Sequence, residues 1–258
     1  MTAPVFADKV GLVVGVANKR SISWAIARAT GEAGATLVLT HQSERLAENV
    51  RDLAVALTNP LLLPCDVADE PQMDALFAEI ERRYDRLDFL VHGVAFADRV
   101  DLERPFVETS REGFLKALDI SAYSLVALSR RAAPLMEKAG GSILTLSYLG
   151  ANRVFPNYNV MGVAKAALEA SVRYLASDLG PKNIRVNAIS AGPIKTLAAS
   201  GIAGFSGILE KYRERAPLRR TVDASEVADA AVFLLGPAGR AVTGEVLMVD
   251  GGYHAMGI

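Results

Sequence analysis

Three residues in one short stretch of the chain have side chains suited to chemistry. Residues 147–165 read SYLGANRVFPNYNVMGVAK and contain Tyr148, Tyr158 and Lys165, with nine residues between the tyrosines and six between Tyr158 and the lysine. A phenol can donate a proton to a developing oxyanion, and a nearby ammonium group stabilises an ionised phenol and can hold sugar hydroxyls. The triplet therefore points to hydride transfer with a tyrosine at the oxygen end. A tyrosine followed two helical turns later by a lysine is incidental in most proteins, because tyrosine is common at half-buried positions. The surrounding elements therefore decide whether these residues form a site.

The elements around the triplet alternate between short apolar runs and longer stretches of helical period. This alternation is typical of a parallel sheet with helices on both faces, and nearly continuous apolar runs are typical of strands covered on both sides. We predict a single α/β domain, residues 1–258, with a doubly wound, Rossmann-like sheet of seven parallel strands; an eight-stranded βα barrel would need another strand. The predicted strands are 10–16, 35–40, 61–65, 87–93, 142–147, 184–190 and 245–250, and the predicted helices are 21–33, 43–57, 70–84, about 109–138, 157–179 and 223–236.

Composition is that of an ordinary globular protein. The 258 residues carry a formal net charge of −1 and are 51% hydrophobic, which argues against a nucleic-acid-binding surface and against disorder. The first residues do not resemble a signal peptide, and no run of about 18 apolar residues offers a membrane span. Because Cys65 is the only cysteine and the three histidines are scattered, we expect a cytoplasmic protein with no disulfide and no metal site.

The segment after the first strand has the position of a phosphate-binding loop. It runs from Gly15 to Ile22 and leads into a helix whose N-cap we expect to be Ser21 or Ser23. Such a loop directs backbone N–H groups and the positive end of a helix at a pyrophosphate. Only Gly15 matches the GxGxxG fingerprint of dinucleotide-binding sheets, so this segment fits an ordinary strand-to-helix turn as well.

The end of the second strand carries a neutral polar residue. Gln42 stands where many NAD-binding sheets have an acidic residue for the adenosine ribose, and it can hydrogen-bond a 2′-hydroxyl. A 2′-phosphate would require a cation close by. Lys19, Arg20 and Arg45 are near enough in the sequence to leave NADPH open, and we favour NADH.

The end of the third strand carries Asp66 and Val67. The carboxylate of Asp66 could accept a hydrogen bond from the adenine amino group, and Val67 could cover the adenine ring. Alternatively, Asp66 caps the helix predicted at 70–84.

The order of these parts resembles that of the enoyl-acyl-carrier-protein reductases of bacterial fatty-acid synthesis, a divergent branch of the short-chain dehydrogenase/reductases. The strings LTLSYLGANRVFPNYNVMGVAKAALEA and RVNAISAGPIKTLAASGI are similar to that family's. Standard short-chain dehydrogenases place three residues between tyrosine and lysine, a position that is Met161 here. The six-residue spacing is therefore specific for the enoyl reductase branch.

The resemblance implies a role for each matching residue. Tyr158 would hydrogen-bond the thioester carbonyl oxygen and stabilise the enolate that forms when hydride from the nicotinamide reaches the β-carbon of a trans-2-enoyl chain. Lys165 would hold the nicotinamide ribose hydroxyls, and Tyr148 would position or gate the acyl chain. The other cofactor-binding positions are Gly15, Ser21, Ile22, Gln42, Asp66, Val67, Val94, Ile194, Lys195, Thr196, Leu197 and Ala198, and the other substrate-binding positions are Ala97, Met161, Ile202 and Phe205.

Residues 192–215 have the composition of a substrate-binding lid. Glycines that allow movement are mixed with apolar side chains that could cover an aliphatic chain; the alternative is a surface loop with an apolar underside. We expect this segment to be a loop with short helical pieces.

The chain departs from the resembled family at two places. Ala95 puts a methyl group beside the nicotinamide pocket where family members often have glycine, so we expect a slightly narrower pocket. Basic residues with which some relatives dock the acidic carrier protein are replaced by Ala203, Ser206 and Gly207. Docking would then use other cations, which are Lys195, Lys211, Arg213, Arg215, Arg219 or Arg220. Alternatively, these residues form only a solvated helix face.

Three functions stay open on the sequence. The favoured one is an NADH-dependent enoyl-acyl-carrier-protein reductase that acts on enoyl thioesters of the acyl carrier protein and, by resemblance, forms a homotetramer. A 3-ketoacyl or carbonyl reductase is disfavoured because Met161 replaces the usual tyrosine. A non-catalytic dinucleotide sensor is disfavoured because it would need neither Tyr158 nor Lys165.

Overall fold

The protein is built around a parallel sheet. The computed structural model describes residues 4–196, 199 and 204–257. In this part of the chain the strands are β1 Val10–Val14, β2 Thr36–His41, β3 Leu61–Pro64, β4 Phe89–His92, β5 Gly141–Ser147, β6 Ile184–Ala191 and β7 Val246–Val249. They form one seven-stranded sheet in the order β3-β2-β1-β4-β5-β6-β7, with every pairing parallel. The predicted fold class is confirmed.

Helices connect the strands and cover both faces of the sheet. They are α1 Ile22–Glu32, α2 Glu44–Ala54, α3 Glu70–Tyr84, α4 Arg99–Glu103, α5 Arg111–Leu118, α6 Ser124–Met136, α7 Asn159–Leu179, α8 Phe205–Arg215 and α9 Ala224–Leu235. One apolar cluster joins the sheet to α3, α6 and α7. A second joins its other face to α1, α2 and α9. Burial on both faces explains why the strands read as nearly continuous apolar runs.

The region 109–138, predicted as one long helix, is interrupted. Between α5 and α6 the residues Asp119–Tyr123 form a π-helical turn. The Ser121 hydroxyl accepts a hydrogen bond from the Phe96 N–H at 2.9 Å, and the Ser124 hydroxyl reaches the Ile120 carbonyl at 2.7 Å. The interruption therefore coincides with a tertiary contact to the segment after β4, which helical periodicity does not reveal.

Two other differences concern short elements. The five-residue helix α4 was not predicted. The segment predicted to contain short helical pieces forms the 11-residue helix α8, which buries Leu209 and Tyr212. Its glycine Gly204, at φ +77°, lies at the N-cap position, so the glycine begins the helix rather than breaking it.

Strands β1 and β4 are neighbours in the sheet. From β1 the chain continues to β2 and β3 on one side, and from β4 it continues to β5, β6 and β7 on the other, so the strand order reverses between β1 and β4. In open α/β sheets a ligand crevice lies outside the carboxyl ends of the strands at such a switch point. Among the described residues, no helix combines the length and apolar character that a membrane crossing requires. Within the same residues, no group of three or more histidine, cysteine or acidic side chains is arranged to hold a metal ion.

Candidate active site

Tyr158 lies in an aromatic and apolar cluster beside the carboxyl end of β5. It is 8% exposed and packs with Leu102, Val160 and Met161. The Tyr148 ring meets the Tyr158 ring edge-on, with ring centroids 5.1 Å apart. Because burial penalises the charged form, it raises the pKa of the Tyr158 phenol well above its ordinary value. The side chain is therefore a neutral O–H donor at neutral pH.

The two tyrosine rings are brought together around a glycine. A Cβ atom on Gly150 would lie 2.4 Å from Cδ1 of Tyr158 and 3.0 Å from Cδ1 of Tyr148. Both distances are shorter than carbon atoms can approach without displacement. A residue without a side chain is thus required for the observed position of Tyr158.

Lys165 lies on α7 two turns after Tyr158 and is 5% exposed. Its ammonium group donates a hydrogen bond to the Leu146 carbonyl at 2.7 Å, which ties it to β5. Desolvation lowers the pKa of Lys165 to about 8, and the carboxylate of Glu169 acts in the opposite direction. Burial therefore disfavours the charged form of Lys165, and the Glu169 carboxylate favours it.

Glu169 is the acidic residue closest to this lysine along α7, and it is 5% exposed. Its carboxylate accepts hydrogen bonds from the Ser147 hydroxyl at 2.6 Å and from the Asn152 side-chain amide at 3.0 Å. These bonds compensate the cost of burying the carboxylate. The result is a buried negative charge that helps to keep Lys165 protonated.

A buried histidine lies beneath the same region. His92, at the end of β4, is fully buried and hydrogen-bonds Thr145 through Nδ1 and Ser124 through Nε2, both at 2.8 Å. Burial, with a smaller effect of the nearby Lys165 charge, lowers the pKa of His92 to about 3. His92 is thus neutral and joins β4, β5 and α6 rather than titrating.

The loop after β1 has the geometry of a phosphate cradle. Gly15 has φ +97°, and a Cβ atom there would lie 2.2 Å from the Gly93 carbonyl oxygen. The Ser21 hydroxyl accepts hydrogen bonds from the Ala17 and Asn18 N–H groups at 3.2 and 3.1 Å. Ser21 occupies the N-cap position but its side chain folds back onto the loop, leaving the first N–H groups of α1 without a side-chain cap. Those N–H groups suit an anion such as a pyrophosphate.

Gln42 and Asp66 are joined at the next two strand ends. The Gln42 amide nitrogen donates to Asp66 Oδ2 at 3.1 Å, and Asp66 Oδ1 accepts from the Ala68 N–H at 3.0 Å. The cap of α3 is Asp69, whose side chain accepts from the Gln72 N–H. The alternative role of Asp66 as the cap of α3 is therefore wrong.

The remaining cofactor candidates follow the carboxyl ends of other strands. Val67 is buried, Val94 and Ile22 pack against the two apolar clusters of the sheet, and Lys195 is exposed. Ile194 packs beside β6 and the Thr196 hydroxyl accepts from the Ala199 N–H at 3.1 Å. Three candidates lie outside the described residues: Leu197, Ala198 and Ile202.

The substrate candidates divide into two groups. Ala97, Met161 and Tyr148 all belong to the cluster around Tyr158, as does Ala95. Phe205 begins α8 and is partly buried, outside the described members of that cluster. The first group is thus brought together by the fold, and Phe205 remains a prediction.

Sequence reasoning missed four residues at this site. Glu169 carried a signal, because an acidic residue four positions after a lysine lies on the same helix face. His92, Ser147 and Tyr212 carried none, since each is assigned by contacts between distant segments.

Comparison with known proteins gives the following matches. A family model described as Enoyl-(Acyl carrier protein) reductase matches residues 15–254. A Bacillus cereus protein named Enoyl-[acyl-carrier-protein] reductase [NADH] FabI is 55% identical over 251 residues, which cover 96% of this chain and 98% of that protein. Rhizobium meliloti Enoyl-[acyl-carrier-protein] reductase [NADH] 1 is 53% identical, and the match covers 97% of this chain and 92% of that protein.

Solved structures match over the same length. The Bacillus cereus enoyl-acyl carrier protein reductase with NADP+ and indole naphthyridinone superposes with a TM-score of 0.96 at 54% identity, covering 98% of this chain and 99% of that one. The Anaplasma phagocytophilum reductase in complex with NAD gives a TM-score of 0.96 at 49% identity, covering 100% and 98%.

Proposed function

The chain belongs to the enoyl-(acyl carrier protein) reductase family, and we propose that it reduces the trans-2 double bond of enoyl thioesters on the acyl carrier protein, with NADH, in fatty-acid elongation. Its relatives are named as NADH-dependent enzymes of this reaction. One observation supports the assignment of catalytic roles to residues. Tyr158 and Lys165, which have six residues between them, are both buried beside the carboxyl edge of the sheet. Met161 occupies the position of the usual short-chain dehydrogenase tyrosine and packs against Tyr158.

Tyr158 acts at the oxygen end of the reaction. Because burial keeps the phenol protonated, it can donate a hydrogen bond to the thioester carbonyl oxygen. That bond becomes stronger as negative charge develops on the oxygen, so it stabilises the enolate-like transition state more than the bound substrate. Lys165, held on the Leu146 carbonyl, adds positive potential and retains N–H donors for ribose hydroxyls.

The residues around the first three strand ends fit a dinucleotide. Bound NADH supplies the hydride. The start of α1, which follows the loop of Gly15 to Ser21, offers backbone N–H groups to its pyrophosphate, and Gln42 offers its amide oxygen to a ribose 2′-hydroxyl while its amide nitrogen donates to Asp66. The Asp66 carboxylate at this position would repel a 2′-phosphate, and among the described residues no ion pair or hydrogen bond holds the exposed side chains of Lys19, Arg20 and Arg45 beside it. We therefore assign NADH rather than NADPH.

A substrate comparison tests the function. Purified protein is mixed with NADH and either trans-2-dodecenoyl thioester or a 3-ketoacyl thioester, and NADH oxidation is followed by absorbance. We expect turnover on the enoyl substrate only, and a higher kcat/KM with NADH than with NADPH. Turnover on the ketone alone would replace the assignment with a 3-ketoacyl reductase. Turnover on neither, with NADH bound, would favour a dinucleotide sensor.

Residues 192–215 are proposed as the substrate lid. The segment follows β6 and ends in α8, whose residue Tyr212 lies beside Tyr148. In this proposal Ile202 and Phe205 cover the acyl chain, while Ile194 to Ala198 border the cofactor.

Docking of the acidic carrier protein is proposed at a basic cavity next to this lid. The cavity has a volume of about 420 Å³ and its described lining includes Arg153, Lys211 and Arg215 but no carboxylate. None of these three cations has an ion-pair partner among the described residues. Positive charge of this kind suits an acidic protein or a phosphate.

Two other candidate cations are already engaged. Arg220 is ion-paired with Glu226 at 2.6 Å, and the Arg219 guanidinium donates to the Glu214 carbonyl. Arg213 and Lys195 are exposed and lie outside the described lining of the cavity. Lys211 and Arg215 are therefore the stronger docking candidates.

A homotetramer and a cytoplasmic location complete the proposal. Large apolar side chains are exposed on the helical layer that contains α5 and α7, among them Leu115 at 57% and Tyr174 at 75%, and exposed apolar side chains of this size suit a subunit contact. The single cysteine, Cys65, is buried as a free thiol, which suits a reducing compartment.

A further inference from the structure

Two buried phenol hydroxyls lie side by side next to the proposed active site. The Tyr148 and Tyr212 hydroxyls are both buried without a hydrogen-bond partner, and in the described part of the chain only His41 Nδ1 and Ser129 Oγ share that condition. Tyr148 and Tyr212 are close enough that each affects the pKa of the other, yet their geometry makes no hydrogen bond. They come from different elements, the end of β5 and the middle of α8.

Tyr212 is held rigidly in this position. It is 1% exposed, and its ring stacks on that of Tyr253 with centroids 3.8 Å apart and planes at 11°. Tyr253 belongs to a C-terminal turn that Asp250 fixes, because the buried Asp250 carboxylate accepts hydrogen bonds from the Gly252 and His254 N–H groups at 2.9 and 2.8 Å. The Tyr212 hydroxyl is therefore placed by the fold rather than free to turn away.

Both hydroxyls need an acceptor that the described residues do not supply. Burial raises the pKa of Tyr148 and of Tyr212, and the Asp250 carboxylate acts in the same direction, so both phenols keep their protons. Even if one phenol donated to the other, the second proton would have no acceptor. A buried donor without an acceptor costs free energy, and such groups in native proteins call for a functional explanation.

The surroundings indicate which acceptor fits. On one side Tyr148 contacts Tyr158, at 5.1 Å between ring centroids. On the other side Tyr212 lines the cavity that carries Arg153, Lys211 and Arg215. The protein thus presents cations, then a pair of O–H donors, then Tyr158. A phosphopantetheine arm carries a phosphate, then amide groups, then the thioester, in the same order.

Resting on the reductase function proposed above, we infer that Tyr212 and Tyr148 form a two-donor site for an amide oxygen of the substrate's pantetheine arm. Tyr212, which lies outside both sequence strings that carry the family resemblance, is then a substrate-binding residue. The site orients the thioester toward Tyr158 by holding the arm behind it.

The test compares Tyr212→Phe with wild type on two substrates. Crotonyl-coenzyme A contains the pantetheine amides, whereas S-ethyl thiocrotonate has the same enoyl group and no amide. Tyr212→Phe keeps the ring stack and removes only the hydroxyl. We expect KM for crotonyl-coenzyme A to rise about 5- to 10-fold, as for one lost hydrogen bond, with KM for S-ethyl thiocrotonate, kcat and KM for NADH unchanged.

Matched measurements separate this role from a structural one. Tyr253→Phe, the other ring of the stack, should leave both KM values unchanged. The Tm of ligand-free Tyr212→Phe should equal or exceed that of wild type, because the removed hydroxyl has no partner to lose. An equal rise in KM for both substrates, or unchanged KM for crotonyl-coenzyme A, would overturn the inference. Absence of enoyl turnover in the wild type would instead overturn the proposed function.

Discussion

At the scale of single residues, the site depends on how burial sets protonation. Tyr158 and Lys165 are both less than a tenth exposed, and burial opposes the charged form of each. For the phenol this opposition suits the proposed role, because that role requires a neutral O–H donor at the thioester oxygen. For the lysine it is a cost, which the buried Glu169 carboxylate partly offsets.

Replacing Tyr158 by phenylalanine should slow the chemical step. The lost hydrogen bond acts chiefly in the transition state, so we expect kcat to fall about 100-fold. The dissociation constant for NADH, measured by fluorescence titration, should stay within about twofold. Tyr174→Phe is the matched control, because Tyr174 lies on the same helix and is 75% exposed. An unaltered turnover number for Tyr158→Phe would remove the role assigned to it.

The charge of Lys165 should give the enzyme an alkaline limit. With a pKa of about 8, the ammonium is present below that pH and is lost as the pH rises through it, so kcat/KM should decline in the same window. Glu169→Gln removes the carboxylate that raises this pKa. The decline should then begin at lower pH, and the activity retained at pH 8.5 relative to pH 6.5 should be roughly threefold smaller than in wild type.

A control for this pH profile is available in the same cluster. Ser147→Ala removes the 2.6 Å hydrogen bond to Glu169 but keeps the carboxylate. Its alkaline limb should therefore lie much closer to that of wild type than the limb of Glu169→Gln does. Coincident profiles for Glu169→Gln and wild type would show that the carboxylate does not act on Lys165.

At the scale of elements, close approach between segments sets the geometry of the site. The 3-10 turn Leu149–Ala151 passes so near the start of α7 that only glycine fits at its centre. The loop after β1 shows the same feature, since Gly15 contacts the backbone of Gly93 across β1 and β4. In both places the absence of a side chain determines how close two elements come.

Gly150→Ala tests the importance of that approach for activity. The added methyl group must displace the Tyr158 ring, and a displacement of about 1 Å can reduce turnover about 100-fold. Because the Tyr158 ring would be displaced, we expect kcat for the enoyl thioester to fall at least tenfold. Gly180→Ala, at the end of α7, is the control, because a Cβ atom there meets nothing within 4 Å. Equal turnover of the two variants would refute the steric argument.

At the scale of the whole molecule, the sheet order places many of the described candidate residues at one edge. The carboxyl ends of β1, β2, β3 and β4 carry the cofactor candidates, and β5 carries the tyrosine cluster. Parallel strands make this possible, because all their carboxyl ends face the same way.

The tetramer can be tested by sedimentation equilibrium. Four copies of a 27.5 kDa chain, 4 × 27.5, give about 110 kDa. Leu115→Glu places a charge on an exposed apolar position of α5 and should lower the average mass, since a charge buried in an interface is unfavourable. Val55→Glu, at an 86% exposed position after α2 on the other layer, should not. A wild-type mass near 27.5 kDa would rule out the tetramer.

The sequence alone determined the fold class and the strand positions to within a few residues. These depend on local period and spacing, which a linear chain displays directly. Tertiary structure alone decided that the Ser21 hydroxyl closes the loop after β1, that Asp66 pairs with Gln42 instead of capping α3, and that a π turn divides the long helix. It also decided that Tyr212 meets Tyr148 across 64 positions of sequence. Such contacts depend on how distant elements pack, and no local pattern encodes the distance between their side chains.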